Sequence, residues 1–434
     1  MISQANSILP RSTEQTTKSG SMSKLVTGIV IGNALETFDF VVYGYFAVTL
    51  GKVFFPKENE LAQLLFTLSI FGASYLMRPI GAIVLGSMAD RFGRKKTLTL
   101  TLLLMALGTG MIAVLPSYNL VGIWAPLLMV LARLIQGFSA GGEIGTATTY
   151  LIESAPSARK GFYSSFQIVS QSLGFAFGSV LGSTLSLYLS ESAFESWGWR
   201  VPFLIGVLIF PVGMYIRKNF TETLNIEERH TSSKALFGDL LGNNFWNLAR
   251  CLMLCISGTV TVTMSIYMTT YAIRTLHLPM YVAMLTGLVG GAVSIIAAPL
   301  AGTLSDKIGR KPVILIGRVA LVLCVLPGFW SIVTWPSYVT LFIVVAAIFL
   351  LNAISGTAEL VFIPESLPAK VRGTGFSLAY SLTVAIFGGG APLFTVWLVN
   401  ATGNPLVPAW ILIVTTLVSL SPLYFMRETV RHEN

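Results

Sequence analysis

The chain has 434 residues, of which 54% are hydrophobic and only 11% charged, and its net charge is +9. A soluble domain carries about 25% charged residues, so this composition excludes a water-soluble globule and points to an integral membrane protein, in keeping with a mean hydropathy of +0.74. The apolar runs are about 20 residues long, suited to membrane helices rather than to the ~10-residue alternating strands of a barrel.

In chain order, residues 1–24 form a polar tail with no apolar core of a signal peptide, so the first span is expected to act as its own insertion signal. Twelve spans are predicted: 25–50, 61–89, 97–115, 121–151, 162–189, 201–216, 247–273, 281–304, 312–333, 337–363, 374–400 and 407–426. The even number puts both termini on one side. Twenty of the 28 Lys and Arg fall in connections on that side and four on the other, which predicts cytoplasmic termini. The positive charge is thereby explained by topology, and a nucleic-acid partner is not expected. The loop 217–246 is the longest connection and separates a half at 25–216 from a half at 247–426, with a tail at 427–434. Trp197, Trp199, Phe54 and Phe55 in the short outer loops are expected to anchor the chain at the lipid interface.

Two motifs recur once per half. Gly86-Ser87-Met88-Ala89-Asp90-Arg91-Phe92-Gly93-Arg94 returns 216 residues later as Gly302-Thr303-Leu304-Ser305-Asp306-Lys307-Ile308-Gly309-Arg310. Glu153-Ser154-Ala155-Pro156, followed by Arg159, returns as Glu365-Ser366-Leu367-Pro368, followed by Arg372. Repetition in the same order predicts an all-α membrane protein of twelve transmembrane helices in two related six-helix halves.

A charge at mid-bilayer costs about 2.5–3.5 kcal/mol on insertion scales, so each one inside a span needs a reason. The acids are Glu36, Asp39, Glu143 and Glu359; the bases are Arg78, Arg133, Arg250 and Arg318. Arg250 and Arg318 lie near span ends, from which a long side chain can snorkel to water. Glu36 and Asp39 are three residues apart on one helical face, in a stripe with Asn33 and Tyr43. Two carboxylates so close in a low dielectric repel when both are charged, which suits a proton carrier. Arg78 and Arg133 offer planar guanidinium forks that fit a carboxylate in bidentate fashion, and are the expected anion ligands. Gln136, Gln167, Gln171, Tyr267, Asn352, Glu359 and Tyr380 are further polar candidates to line a cavity. Gly137, Gly141 and Gly145 form a small-residue stripe better suited to helix packing. Cys251, Cys255 and Cys324 fall inside spans and read as packing residues.

The paired loop motif and the six-plus-six layout resemble the major facilitator superfamily. Within it, Gly32-Asn33-Ala34-Leu35-Glu36, Met77-Arg78-Pro79-Ile80-Gly81, Arg133-Leu134-Ile135-Gln136-Gly137-Phe138 and Gly375-Phe376-Ser377-Leu378-Ala379-Tyr380 resemble the metabolite:proton symporters, in particular the citrate and tricarballylate branch. Thr37 departs from the aromatic residue or glutamine often found there. The resemblance implies a gating cluster of Gly86, Asp90, Arg91, Gly93 and Arg94 latching against span 11, with Asp306 and Arg310 doing likewise near span 5. Span 5 lacks the glycine-proline motif of the antiporters, which leans toward symport.

The expected function is proton-driven import of citrate or a related tricarboxylate across a bacterial inner membrane by a monomer without metal or cofactor. A dicarboxylate, α-ketoglutarate, or a zwitterion such as betaine or proline is the alternative substrate, and a non-transporting nutrient sensor the alternative of another class. ATP coupling is not expected, since no P-loop pattern occurs. Catalysis is not expected either, because His230, His277 and His432 are too scattered for an intramembrane site.

Overall fold

The computed structural model describes residues 19–56, 59–92, 94–141, 148, 151–152, 155–218, 238–240, 242–368 and 371–429. Gly93, Glu143, Gly145, Glu153 and Ser154, the side chains of Asp90, Arg91 and Arg94, the tails 1–18 and 430–434, and most of the central loop lie outside the described residues.

Among the described residues every regular element is helical. We number the main helices α1 (Ser19–Tyr45), α2 (Ala47–Phe54), α3 (Glu60–Leu76), α4 (Arg78–Phe92), α5 (Arg94–Val114), α6 (Trp124–Ala140), α7 (Lys160–Tyr188), α8 (Arg200–Lys218), α9 (Phe245–Arg274), α10 (Thr286–Ile308), α11 (Arg310–Thr334), α12 (Tyr338–Ser366), α13 (Arg372–Thr383), α14 (Gly389–Thr402) and α15 (Val407–Phe425). Among the described residues, nine stretches are long and apolar enough to cross a membrane. The shorter apolar stretches Thr99–Val114 and Trp124–Ala140, with α8, stand where the other three predicted spans fall. Large apolar side chains such as Leu107, Leu208, Ile296, Leu323, Ile343 and Leu417 face outward. An exposed apolar belt of this extent is stable only against lipid.

Glycine lets the helices approach closely. A Cβ on Gly81, Gly137 or Gly141 would run into the backbone carbonyls of Phe138, Ser74 or Arg78, locking α3 and α4 onto α6. Gly174 lies so near α1 that a Cβ would stand 2.7 Å from the Ala34 carbonyl oxygen. Between the halves, Gly72 faces Gly389, and Gly161 faces Gly302. Its repeat counterpart Gly86 makes no such approach: a Cβ there would meet no described atom within 4 Å. Gly309 takes φ +101 and turns α10 into α11, a backbone state that side chains disfavour.

α13 runs through a π-helical turn, Val384–Gly388, into α14. Such turns widen a helix locally and release backbone groups, and are tolerated at membrane depth where they face protein or a cavity. Polar side chains join neighbouring helices: Ser257 pairs with Thr416 (3.0 Å), and Ser179 donates to the Met284 carbonyl (2.5 Å).

The expected interface aromatics divide. Trp197 is half exposed, but Trp199 and Phe54 are fully buried, with ring centroids 5.2 Å apart. They knit α2 to the start of α8 because both rings point into the bundle rather than along its rim. Cys251 and Cys255 are buried and Cys324 is exposed on the outward face.

Candidate functional site

A cavity lies between the halves. Asn33, Glu36 and Phe40 of α1, Tyr75 of α3, Arg78 of α4, and Gln171 and Phe175 of α7 face it from the N-terminal half. Cys255 and Thr259 of α9, Asn352 and Glu359 of α12, and Tyr380 of α13 face it from the other.

Arg78 is the cation of this cavity. Its guanidinium sits 4.3 Å from the Phe40 ring centroid and 4.5 Å from that of Tyr75. Two aromatic faces hold the charge by cation–π attraction without consuming its hydrogen-bond fork. Among the described residues no carboxylate forms an ion pair with it.

Arg133, the other expected anion ligand, is elsewhere. It is fully buried inside the N-terminal half and does not line the central cavity. Its Nη1 donates to Gln136 Oε1 (2.8 Å) and its Nη2 to Ser74 Oγ (3.3 Å), with the Tyr43 ring 4.3 Å away. Gln136 Nε2 donates to Thr109 Oγ1 (2.8 Å), and the Thr109 hydroxyl donates to Asp39 Oδ2 (2.7 Å). Gln136 and Tyr43 thus belong to this interior network; the Tyr43 hydroxyl donates to the Thr67 carbonyl (3.1 Å).

Glu36 and Asp39 therefore part company. Asp39 points into the half, toward α5 and Gly206 of α8, while Glu36 faces the central cavity. Both also line a smaller cavity of about 530 Å³ with Thr101, Ser139 and Gly206, so Glu36 borders the two cavities at once. The helical step of 100° per residue turns Asp39 away from Glu36 by about 60°, enough to give the two carboxylates different neighbours.

In the C-terminal half, Arg318 is also fully buried and does not reach water. Its Nη2 donates to Glu359 Oε2 (2.6 Å) and the Leu254 carbonyl (2.7 Å), and its Nη1 to the Ser419 carbonyl (3.0 Å). Two turns from the end of α11 the surrounding helices are closer than the interface, so an internal carboxylate replaces snorkelling.

The remaining candidates also separate. Gln171, Asn352 and Tyr380 line the cavity. Asn33 lines it too while donating to Ser170 Oγ, which ties α1 to α7. Gln167 is fully buried and its carbonyl accepts from Asn33 (3.5 Å). Tyr267 packs on Tyr271, ring centroids 6.1 Å apart, outside the cavity lining.

Contacts between halves occur at both ends of the bundle. At the end carrying the repeated motifs, Asp306 accepts from the backbone N–H groups of Gly161 (2.8 Å) and Phe162 (3.0 Å), at the start of α7. A carboxylate is favoured there by the unsatisfied N–H groups and the positive end of the helix dipole. Arg310 Nη1 holds Asp306 Oδ1 (2.6 Å), and Glu365 lies between Lys160 Nζ (3.7 Å) and Arg310 Nε (3.6 Å). At the opposite end Arg274 bonds the Glu60 carboxylate, and its Nη2 donates to the Glu60 carbonyl (3.0 Å). Between that bridge and the cavity, Gly44 packs on Ile266 and Gly287 on the Tyr45 ring.

Sequence reasoning missed Phe40 and Tyr75 as the seat of Arg78, Thr109 as the partner of Asp39, and the Glu60–Arg274 bridge. The last left a signal: both are charged residues at the edges of their connections, and in 274–280 Arg274 is the one Lys, Arg, Asp or Glu.

Residues 29–392 match the profile of the Major Facilitator Superfamily. The chain belongs to that superfamily. It is 37% identical to a citrate-proton symporter of Klebsiella pneumoniae, over 95% of this chain and 94% of the relative. It is 35% identical to a citrate-proton symporter of Salmonella typhi, over 94% of each chain, and 31% identical to the proline/betaine transporter of Escherichia coli K12, over 94% of this chain and 84% of the relative. Among solved structures, the D-xylose-proton symporter superposes with a TM-score of 0.76 at 19% identity, covering 94% of this chain and 98% of its own. That likeness establishes the fold, an all-α major facilitator bundle; membership of the superfamily, with the symporters among its relatives, makes the chain a transport protein rather than an enzyme.

Proposed function

We propose that this superfamily member is a proton-coupled symporter for citrate or a closely related tricarboxylate. The observation that carries the reading is Arg78, seated on two aromatic rings in the central cavity with no ion-pair partner among the described residues. One substrate carboxylate takes the guanidinium fork in bidentate geometry, and Gln171, Asn352 and Tyr380 donate to the others. The relatives named as citrate-proton symporters support the same substrate class.

Coupling follows from Glu36. A polyanion entering beside that carboxylate is repelled unless a proton neutralises it, so substrate and proton enter together. Asp39 shares the smaller cavity with Glu36 and serves as the second proton site. The Asp306–Arg310–Glu365 cluster latches one end and Glu60–Arg274 the other, each breaking in turn as the halves rock. Asp90, Arg91 and Arg94 are assigned to the same latch by their repeat relation to Asp306 and Arg310. The halves divide at 217–246, and the termini and both motifs face the cytoplasm of a bacterial cell, in a monomer.

The deciding experiment is uptake of labelled citrate into proteoliposomes, with and without an imposed inward proton gradient, against tricarballylate, α-ketoglutarate and betaine as competitors. Gradient-stimulated citrate uptake, blocked by tricarballylate alone, is expected. Uptake of betaine or α-ketoglutarate with none of citrate would sink the tricarboxylate reading while keeping the fold.

A further inference from the structure

At the end of the bundle that carries the repeated motifs there is a second opening, an open cleft of about 1220 Å³ separate from the central cavity. Lys160 from the start of α7, Arg250 from α9, Arg372 from α13 and Arg427 beyond α15 line it, with Glu365 and Glu428 as the acids. The acids are already engaged. Glu365 lies against Lys160 and Arg310 and accepts from the Thr429 hydroxyl (2.7 Å). Glu428 accepts from the backbone N–H groups of Arg310 (2.9 Å) and Lys311 (2.8 Å). Arg372 spends its Nε on the Pro364 carbonyl (2.8 Å), and Arg250 spends one Nη on Asn247 (3.3 Å). No ion pair joins Arg250, Arg372 or Arg427 to a carboxylate among the described residues. The cleft is an excess of guanidinium around one space.

One aromatic ring, Phe425, lines the cleft, 5.9 Å from the Arg250 guanidinium. Phe425 is exposed, as are Phe245, Trp246 and Tyr424 (86%), which lie close to lining residues in the sequence. Aromatic side chains in this position mark the level of lipid headgroups, and a basic pocket between helices at that level suits the phosphate of a lipid headgroup.

We propose that this cleft binds the phosphate headgroup of an anionic phospholipid, with the guanidinium groups of Arg250, Arg372 and Arg427 as its ligands and the exposed Phe425 ring beside its acyl chains. The phosphate lies next to Lys160, whose ion pair with Glu365 ties α7 of one half to α12 of the other. A bound phosphodiester competes with Glu365 for Lys160, so the lipid loosens one of the ties between the halves.

The test uses the full chain, purified from mixed vesicles and read by native mass spectrometry for retained lipid. Wild-type protein is expected to retain phosphatidylglycerol or cardiolipin above their bulk fraction. Arg427→Gln, an exposed position whose substitution leaves the fold intact, is expected to lower that enrichment about fivefold, and Arg250→Gln/Arg427→Gln by a further similar factor. The same double substitution is expected to remove the dependence of transport rate on anionic lipid while leaving the rate in zwitterionic vesicles within about twofold. Displacement of the lipid by millimolar inorganic phosphate would reassign the cleft to a free anion and overturn the lipid reading. Enrichment equal in wild type and both variants, or none in wild type, would overturn the site altogether.

Discussion

Each half buries an arginine completely, and the two are treated differently. Arg318 meets a carboxylate at 2.6 Å and two backbone carbonyls, so its charge is cancelled where it sits. Arg133 meets a glutamine, a serine and aromatic rings, and reaches Asp39 only through Gln136 and Thr109. The first arrangement is a closed pair that holds helices together; the second leaves a carboxylate whose charge is offset at a distance. Arg78 is a third case, a cation held by ring faces with its fork turned to a cavity. The lesson is that a buried guanidinium is structural or functional according to what satisfies it, and burial alone does not distinguish them.

Removing one partner of the closed pair sharpens this contrast most. Arg318→Ala is expected to destabilise the protein by about 3–5 kcal/mol by leaving Glu359 uncompensated, read as thermal unfolding in detergent. Next, Arg78→Ala is expected to weaken citrate binding by about 10- to 100-fold, the value of a charge-assisted hydrogen-bonding group, with little change in stability; calorimetric titration checks it. Arg133→Gln is the counterpart, expected to lower stability by about 1–3 kcal/mol with affinity changed by less than Arg78→Ala changes it. If Arg133→Gln abolished binding and Arg78→Ala did not, the assignment of the two arginines would be reversed.

Asp39→Asn is expected to keep citrate binding and lose the stimulation of uptake by an imposed proton gradient, whereas Glu359→Gln keeps the stimulation in the fraction of protein that folds. The smallest effect on binding belongs to the contact between the halves. Asp306→Asn removes a charge worth about 0.3–1 kcal/mol at a helix N-terminus and one of the two carboxylates beside the buried Arg310 guanidinium, leaving Glu365; it is expected to change the transport rate by a few-fold with binding kept.

The fold class was legible because membrane insertion imposes it: every backbone polar group must be satisfied within a helix, so length and hydropathy suffice to find the spans. The contact of Asp306 with the start of α7 was expected from the family resemblance, carried by a charged motif repeated between spans. The cavity was half legible. Glu36, Arg78, Gln171, Asn352, Glu359 and Tyr380 were named and do line it, whereas Arg133, Gln136 and Tyr43 have the same residue chemistry and lie inside one half. Helical spacing says which residues share a face, and it is silent on which neighbour that face meets.

The sequence by itself determined that this is a helical membrane protein of two related halves, because those properties follow from one-dimensional composition, period and repetition, while its reading as a transporter came from the motifs that resemble a known family. Only the tertiary structure decided which polar groups face the space between the halves. That depends on the rotation of each helix about its axis, set here by the glycine contacts that press α3 and α4 onto α6 and α1 onto α7. A Cβ at Gly81, Gly137 or Gly174 would push those helices apart, and the positions of Arg78 and Arg133 relative to the cavity would no longer be fixed.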